Sequence, residues 1–99
     1  MDIKLVNRGT EGELILSGRL DAKNAADVGN VFLQVADRFQ NITLNMRELR
    51  YISSGGIRIL RKLYIKVRNN GGTLVLTNLA PYVEEVLEMT GLAEMFEIK

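Results

Sequence analysis

The alternation of apolar and polar residues divides the chain into strands and helices. Residues 42–46 alternate strictly between apolar and polar, which is typical of a half-buried strand. Residues 57–67 instead repeat apolar side chains at intervals of three and four, which predicts an amphipathic helix. The segment Tyr51–Ile57, which contains two serines and two glycines, therefore joins a strand to a helix.

The first forty residues predict a hairpin followed by a helix. Residues 3–6 and 13–18 read as two strands, with a turn at residues 10–12 between them. After Gly18 the chain is expected to leave the strand. Asn24, with Asp27 three residues later, resembles a capping box and predicts a helix start. That helix carries a single apolar stripe, which consists of Val28, Val31, Phe32, Val35, Ala36 and Phe39.

The second half of the chain continues this alternation of helices and strands. The helix after Ile57 should end near Arg68, since glycines at 71 and 72 suit left-handed capping. Residues 73–77 are β-branched and apolar, which predicts a covered strand. Pro81 is well placed in the first turn of a further helix that Gly91 ends, and residues 92–98 are too short to assign.

The order of these elements predicts one α/β domain over residues 1–99. Strands separated by helices form parallel pairs through right-handed crossovers, whereas the initial hairpin adds an antiparallel pair. We therefore expect a mixed, mostly parallel sheet of four to five strands with about four helices.

Composition argues against catalysis. The 99 residues contain no cysteine and no histidine. Disulfides, thiolate nucleophiles and zinc sites are thereby excluded, and the side chain that most often performs acid–base chemistry near pH 7 is absent. We expect no enzyme activity, no metal and no cofactor.

Hydropathy and charge suggest a cytoplasmic protein that binds neither membrane nor nucleic acid. No apolar run approaches the ~18 residues of a membrane span, and the first residues lack the pattern of a signal peptide. The net charge is +1, but residues 47–68 hold seven basic residues and one acidic residue, whereas five glutamates and one lysine follow position 69. Aromatic and basic residues are not interleaved, which disfavours direct binding of nucleic acid.

The serines of the junction are the strongest candidates for function. Ser53 and Ser54 lie at or near the helix N-cap, where free N–H groups and the helix dipole can hold an anion, and Gly55 and Gly56 leave those groups uncovered. Taken alone, Ser-Ser-Gly-Gly is more often a purely structural cap. Our hypothesis is that one serine is reversibly phosphorylated, with Arg58 in the first turn available to a phosphate or an acidic partner.

Asp21 is a second candidate, because it follows the end of a predicted strand. It is either a simple turn carboxylate or, if the two strands are neighbours, a charge beside the serines.

Taken together, these motifs resemble the STAS domain of bacterial anti-sigma factor antagonists, the partner-switching family. The resemblance covers nearly the whole chain. The matching segments are Gly18-Arg19-Leu20-Asp21, Leu44-Asn45-Met46, Tyr51-Ile52-Ser53-Ser54-Gly55-Gly56-Ile57-Arg58, Gly71-Gly72-Thr73-Leu74-Val75-Leu76, Leu79-Ala80-Pro81 and Val86-Leu87-Glu88-Met89-Thr90-Gly91-Leu92 with Phe96.

The resemblance implies a mechanism and a set of site residues. In the family, a serine at a helix N-terminus is phosphorylated by an ATP-dependent serine kinase that is also the anti-sigma factor. The family motif places the phosphorylated position on Ser54 and its aspartate on Ser53. A register shifted by one would choose Ser53, but it would put Gly56 where an apolar residue should enter the core. The residues that are then expected to contact the partner are Asp21, Asn24, Tyr51, Arg58 and Arg61.

The function implied by the resemblance is a switch in binding. The unphosphorylated protein would bind the kinase and free its sigma factor, phosphorylation would end binding, and a PP2C-type serine phosphatase would restore it. The alternative is a STAS scaffold or sensor module that binds a small anion, nucleotide or lipid at the Ser53–Gly56 helix end. A hydrolase that uses Ser54 as nucleophile is remote, since no histidine can serve as its base.

Overall fold

The computed structural model describes the whole chain, Met1–Lys99, and contains five strands, three α-helices and one 3-10 helix. In chain order they are β1 (Asp2–Arg8), β2 (Glu11–Leu20), α1 (Ala25–Arg38), β3 (Asn41–Ile52), α2 (Ser54–Asn69), β4 (Leu74–Thr77), α3 (Pro81–Met89), the 3-10 helix (Leu92–Glu94) and β5 (Glu97–Ile98).

All five strands form one sheet in the order β1-β2-β3-β4-β5. The pair β1/β2 is antiparallel, and the other three pairs are parallel. The prediction of a mixed, mostly parallel sheet of four to five strands with about four helices is confirmed. None of the helices is both long and apolar enough to cross a membrane.

The core is one continuous apolar cluster between the sheet and the helices. Alternate side chains along most of β2, β3 and β4 are buried in it, whereas the residues between them are half-buried or exposed, as in a sheet with one covered face. The apolar stripe of α1 enters this core as predicted, with only Val31 half-buried. The members with least exposure include Leu14, Leu16, Leu44, Met46, Leu60, Leu63 and Leu76.

The strands β2 and β3 are longer than predicted, and this lengthening shapes the site. β2 continues past Gly18 to Leu20, and β3 continues past Met46 to Ile52. Two register shifts insert one extra β3 residue each, and the second coincides with Gly18, whose φ of +105° favours glycine. Charged residues at 47, 48 and 50 interrupt the apolar alternation of β3, so the sequence pattern did not predict that the strand continues to Ile52.

The turns around the first strand and the first helix also differ from expectation. The hairpin turn lies at residues 9–10, because Glu11 already pairs with Arg8. The predicted capping box is wrong: Asn24 precedes α1 but makes no side-chain cap. Its Oδ1 accepts from the Asp21 backbone N–H at 2.9 Å and its Nδ2 donates to the Arg19 carbonyl at 2.8 Å, so the amide closes the preceding loop instead.

The C-terminal residues that the pattern left unassigned complete the sheet. A 3-10 helix at Leu92–Glu94 buries Leu92, and β5 then pairs with β4. The Lys99 N–H donates to the Leu76 carbonyl at 2.9 Å. The partners of Glu97 and Ile98 are Val75 and Leu76, 22 residues earlier in the sequence, so local periodicity does not reveal this two-residue strand.

Candidate functional site

Ser53 is the structural cap of α2. Its backbone is extended, with φ −91° and ψ 174°, and its Oγ accepts from the Gly56 N–H at 3.2 Å. The Ser53 N–H donates to the Leu20 carbonyl and the Ser53 carbonyl accepts from the Ile57 N–H, both at 2.9 Å. Three hydrogen bonds therefore hold this half-buried serine between the end of β2 and the first turn of α2.

Ser54 occupies a different environment one residue later. It is the first residue of α2, its side chain is exposed, and its hydroxyl makes no hydrogen bond within the chain. The hydroxyl also stands where the helix dipole favours negative charge. Of the two candidate serines, Ser54 is thus the accessible one and Ser53 the one engaged in the fold.

The two glycines serve different needs. Gly56 is buried, and a Cβ there would come within 2.8 Å of both Ile52 and Leu20 side chains, so packing alone explains the glycine. A Cβ on Gly55 would make ordinary contacts, 3.5 Å from the Ala25 Cβ and 3.9 Å from the Ala22 Cα. Gly55 therefore marks the place where α2 begins directly beside the loop that precedes α1.

That loop contains the candidates Asp21 and Asn24. The Asp21 Oδ1 accepts from the N–H groups of Lys23 and Asn24, at 3.0 and 3.1 Å. The carboxylate thus acts as a turn carboxylate, the first of the two interpretations of Asp21. The second interpretation required β2 and β3 to be neighbours; they are, and because they end together, the Asp21 loop lies beside the serine junction.

A shallow groove opens next to Ser54. Arg58 and Arg61, both exposed, line one side of it along α2, and the end of α3 with the 3-10 helix closes the other. We call it the Ser54 groove, and its lining residues are Ser54, Ile57, Arg58, Arg61, Thr90 and Leu92.

Tyr51 lies in a separate stack at the end of β3. The Arg19 guanidinium carbon is 4.2 Å from the centroid of its ring, and the Tyr82 ring stacks with it at 6.3 Å and 14° between planes. Tyr82 is 47% exposed and was missed by the sequence reasoning. The only feature of the sequence that could have pointed to Tyr82 was its position directly after Pro81, in the exposed first turn of α3.

The structure therefore divides the predicted residues into three neighbouring parts. Ser54, Arg58 and Arg61 share the groove, Asp21 and Asn24 form the loop beside Gly55, and Tyr51 belongs to the aromatic stack. No three acidic side chains converge as metal ligands would. The arrangement offers an accessible hydroxyl among cationic and aromatic groups, which suits binding of a partner or of an anion.

Comparison with known sequences identifies relatives across the whole chain. A family model described as the STAS domain matches residues 4–99. BtrV of Bordetella bronchiseptica, described as a candidate anti-sigma factor antagonist, is 32% identical over 99 residues, which cover 97% of this chain and 85% of BtrV. The anti-sigma F factor antagonist of Paenibacillus polymyxa is 26% identical over 102 residues, 99% of this chain and 87% of that protein.

Solved structures show the same fold. An anti-sigma factor antagonist from Mycobacterium paratuberculosis matches with a TM-score of 0.86 and 19% identity over 98% of this chain and 83% of its own. SpoIIAA matches with a TM-score of 0.78 in its unphosphorylated form, at 15% identity over 99% of this chain and 87% of SpoIIAA. The phosphorylated form of Bacillus SpoIIAA also matches with a TM-score of 0.78, at 17% identity over 99% of this chain and 91% of its own.

Proposed function

The chain belongs to the STAS domain family, and from this membership we propose that it is an anti-sigma factor antagonist. The relatives support the proposal, because BtrV and the Paenibacillus polymyxa protein carry that description and match over almost the full chain. In this function the unphosphorylated protein binds an anti-sigma factor that is also a serine kinase. The bound sigma factor is thereby released.

The observation that carries the proposal is the contrast between the two serines. Ser54 is exposed at the first position of α2, whereas Ser53 is held by its cap to Gly56. Ser54 is therefore the proposed phosphorylation site. Its Oγ attacks the γ-phosphorus of ATP, a new P–O bond forms, and the bond to the β-phosphate bridging oxygen breaks so that ADP leaves. The hydroxyl proton passes to a base of the kinase.

Charge provides the physical basis of the switch. A phosphoserine adds about −1.5 to −2 charges at pH 7. At the first position of α2 the helix dipole favours that charge, so the domain keeps its fold. At the centre of a partner interface the same charge opposes partner carboxylates and must be desolvated, which weakens binding. A PP2C-type phosphatase would reverse the change by hydrolysing the phosphate ester with water.

The decisive experiment measures phosphate incorporation by mass spectrometry. The wild-type protein, Ser54→Ala and Ser53→Ala are each incubated with ATP and the serine-kinase anti-sigma factors of the source organism. We expect one phosphate on wild type and on Ser53→Ala, and none on Ser54→Ala. Phosphate on Ser54→Ala but not on Ser53→Ala would move the site to Ser53.

The alternative is a STAS sensor module that binds a small anion, nucleotide or lipid at the Ser53–Gly56 helix end. The feature that favours it is the exposed hydroxyl of Ser54 beside two cationic side chains, which would also suit a ligand phosphate. The same experiment separates the two functions. Absence of phosphate on wild type with every kinase tested would favour the sensor.

A further inference from the structure

The Ser54 groove contains two cations that have no partner within the chain. The ion pairs of the protein join Arg8 to Glu13 and Lys66 to Asp37, so Arg58 and Arg61 face no carboxylate within ion-pair distance. None of the six residues that line the groove is acidic. The groove is therefore a positively charged surface with no compensating charge on its walls.

The other lining residues complete its chemical character. Leu92 is buried and Ile57 half-buried, so they give the groove an apolar base. The Thr90 hydroxyl lies 3.0 Å from the Val86 carbonyl and 3.1 Å from the Leu87 carbonyl and donates within its own helix. The polar groups left for recognition in the groove are the Ser54 hydroxyl and the two guanidinium groups, whose planar donor forks match carboxylates.

We propose that the Ser54 groove is the docking site for an acidic segment of the kinase partner, whose carboxylates pair with Arg58 and Arg61. The inference rests on the proposed function and specifies the chemistry of the partner surface. Charge complementarity selects this occupant, since an apolar or basic segment would leave both guanidinium groups unpaired in the interface.

The same geometry gives phosphorylation a second way to act. Residues four apart are neighbours on a helix, so a phosphate on Ser54 lies beside Arg58, and Arg61 is on the next turn of the same side. The phosphate then pairs with the arginines from within the chain. Phosphorylation thus neutralises the two arginines that would bind the partner, in addition to repelling the partner's carboxylates.

The first test uses the purified kinase that phosphorylates this chain, with ADP in place of ATP. We expect R58Q/R61Q to bind the kinase at least about tenfold more weakly than wild type, because two interfacial ion pairs are lost. The affinity of the variant should also fall less steeply with added salt. Arg68→Gln is the matched control, since Arg68 is exposed at the other end of α2 and outside the groove, and it should stay within about twofold of wild type.

The second test needs no partner. Phosphoserine is placed at position 54 during translation, and Tm is measured with and without it in wild type and in R58Q/R61Q. If the arginines hold the phosphate, the modification raises the Tm of wild type by about 4 °C more than that of the variant. Equal shifts would overturn pairing within the chain.

The outcomes separate this inference from the proposed function. If phosphoserine at position 54 abolishes kinase binding but R58Q/R61Q binds like wild type with the same salt dependence, acidic docking is wrong and the antagonist function stands. If phosphoserine leaves kinase binding unchanged, the proposed switch itself is wrong. An equal loss of affinity in Arg68→Gln would also overturn docking at the groove.

Discussion

At the scale of single residues, neighbouring positions that look equivalent in sequence have distinct roles. Ser53 and Ser54 are adjacent hydroxyls, yet one closes the helix and the other is exposed. Gly55 and Gly56 are adjacent glycines, yet only the second lacks room for a side chain. Each pair therefore supplies its own matched control.

The serine pair predicts opposite effects on stability and modification. Ser53→Ala removes the acceptor for the Gly56 N–H and should lower the free energy of unfolding by about 1 kcal/mol, while phosphorylation at Ser54 persists. Ser54→Ala should change the free energy of unfolding by less than about 0.5 kcal/mol and abolish phosphorylation. Urea unfolding gives the first quantity and mass spectrometry the second. A destabilised Ser54→Ala with an unaffected Ser53→Ala would contradict the assignment of the cap.

The glycine pair predicts a contrast of the same kind. Gly56→Ala places a methyl group 2.8 Å from the Leu20 and Ile52 side chains, and the overpacking should cost about 1–3 kcal/mol. Gly55→Ala finds ordinary contacts within a helix and should be neutral or stabilising by up to about 1 kcal/mol. Thermal unfolding should give a lower Tm for Gly56→Ala than for Gly55→Ala. Equal Tm values would show that α2 can move away from the sheet.

At the scale of elements, the site depends on where strands and helices end. The two extra residues in β3 let it end together with β2, which brings the loop at Asp21 beside the start of α2. The hairpin β1/β2 is fixed at its other end by the ion pair between Arg8 and Glu13, 2.8 Å apart. The hydrogen bond from Arg8 lowers the pKa of Glu13, and one from Asn45 lowers it further, against the opposing effect of burial.

The shifted Glu13 predicts a pH dependence of stability. Because the folded-state pKa is lowered, the stabilisation is present above the unfolded-state pKa and is lost as pH falls through the folded-state pKa. Glu13→Gln should therefore lower the free energy of unfolding by up to about 1 kcal/mol at neutral pH, with the difference vanishing in acid. Urea unfolding of wild type and Glu13→Gln, from neutral to acidic pH, measures this difference in the free energy of unfolding. Glu85→Gln, which replaces an exposed glutamate without an ion pair, is the control and should change the free energy of unfolding by less than about 0.5 kcal/mol.

At the scale of the whole molecule, one core supports every part of the candidate site. Of the 26 buried residues, 24 are hydrophobic and form a single cluster that includes members of both long strands, all three helices and the 3-10 helix. The groove, the loop and the aromatic stack lie on the surface of these same elements. Stability and partner binding can therefore be changed separately, by core and surface substitutions respectively.

The core predicts a large contrast between two nearby positions of α2. Leu63 is fully buried, so Leu63→Ala should lower the free energy of unfolding by about 2–5 kcal/mol. Ile65 is 45% exposed, so Ile65→Ala should cost much less, under about 1 kcal/mol. Chemical denaturation monitors both, and a similar cost at the two positions would contradict the orientation of α2.

The sequence alone determined the order of the elements from β1 to α3, the fold family and the candidate serines. Apolar periodicity at 28–39, 42–46 and 57–67 depends on local geometry, so it can be read without knowing the partners of each segment. The resemblance to the STAS family rested on motifs that are short and local in the same way.

Only the tertiary structure decided the ends of the strands, the roles within each pair of like residues and the composition of the groove. The continuation of β3 depends on its pairing with β2, and the need for glycine at 56 depends on Leu20, which is distant in sequence. Thr90, at the end of α3, and Leu92, in the 3-10 helix, line the Ser54 groove together with residues of α2. In the same way, Tyr82 of α3 stacks on Tyr51 of β3. These features arise from contacts between distant segments, and periodicity along the chain carries no information about such contacts.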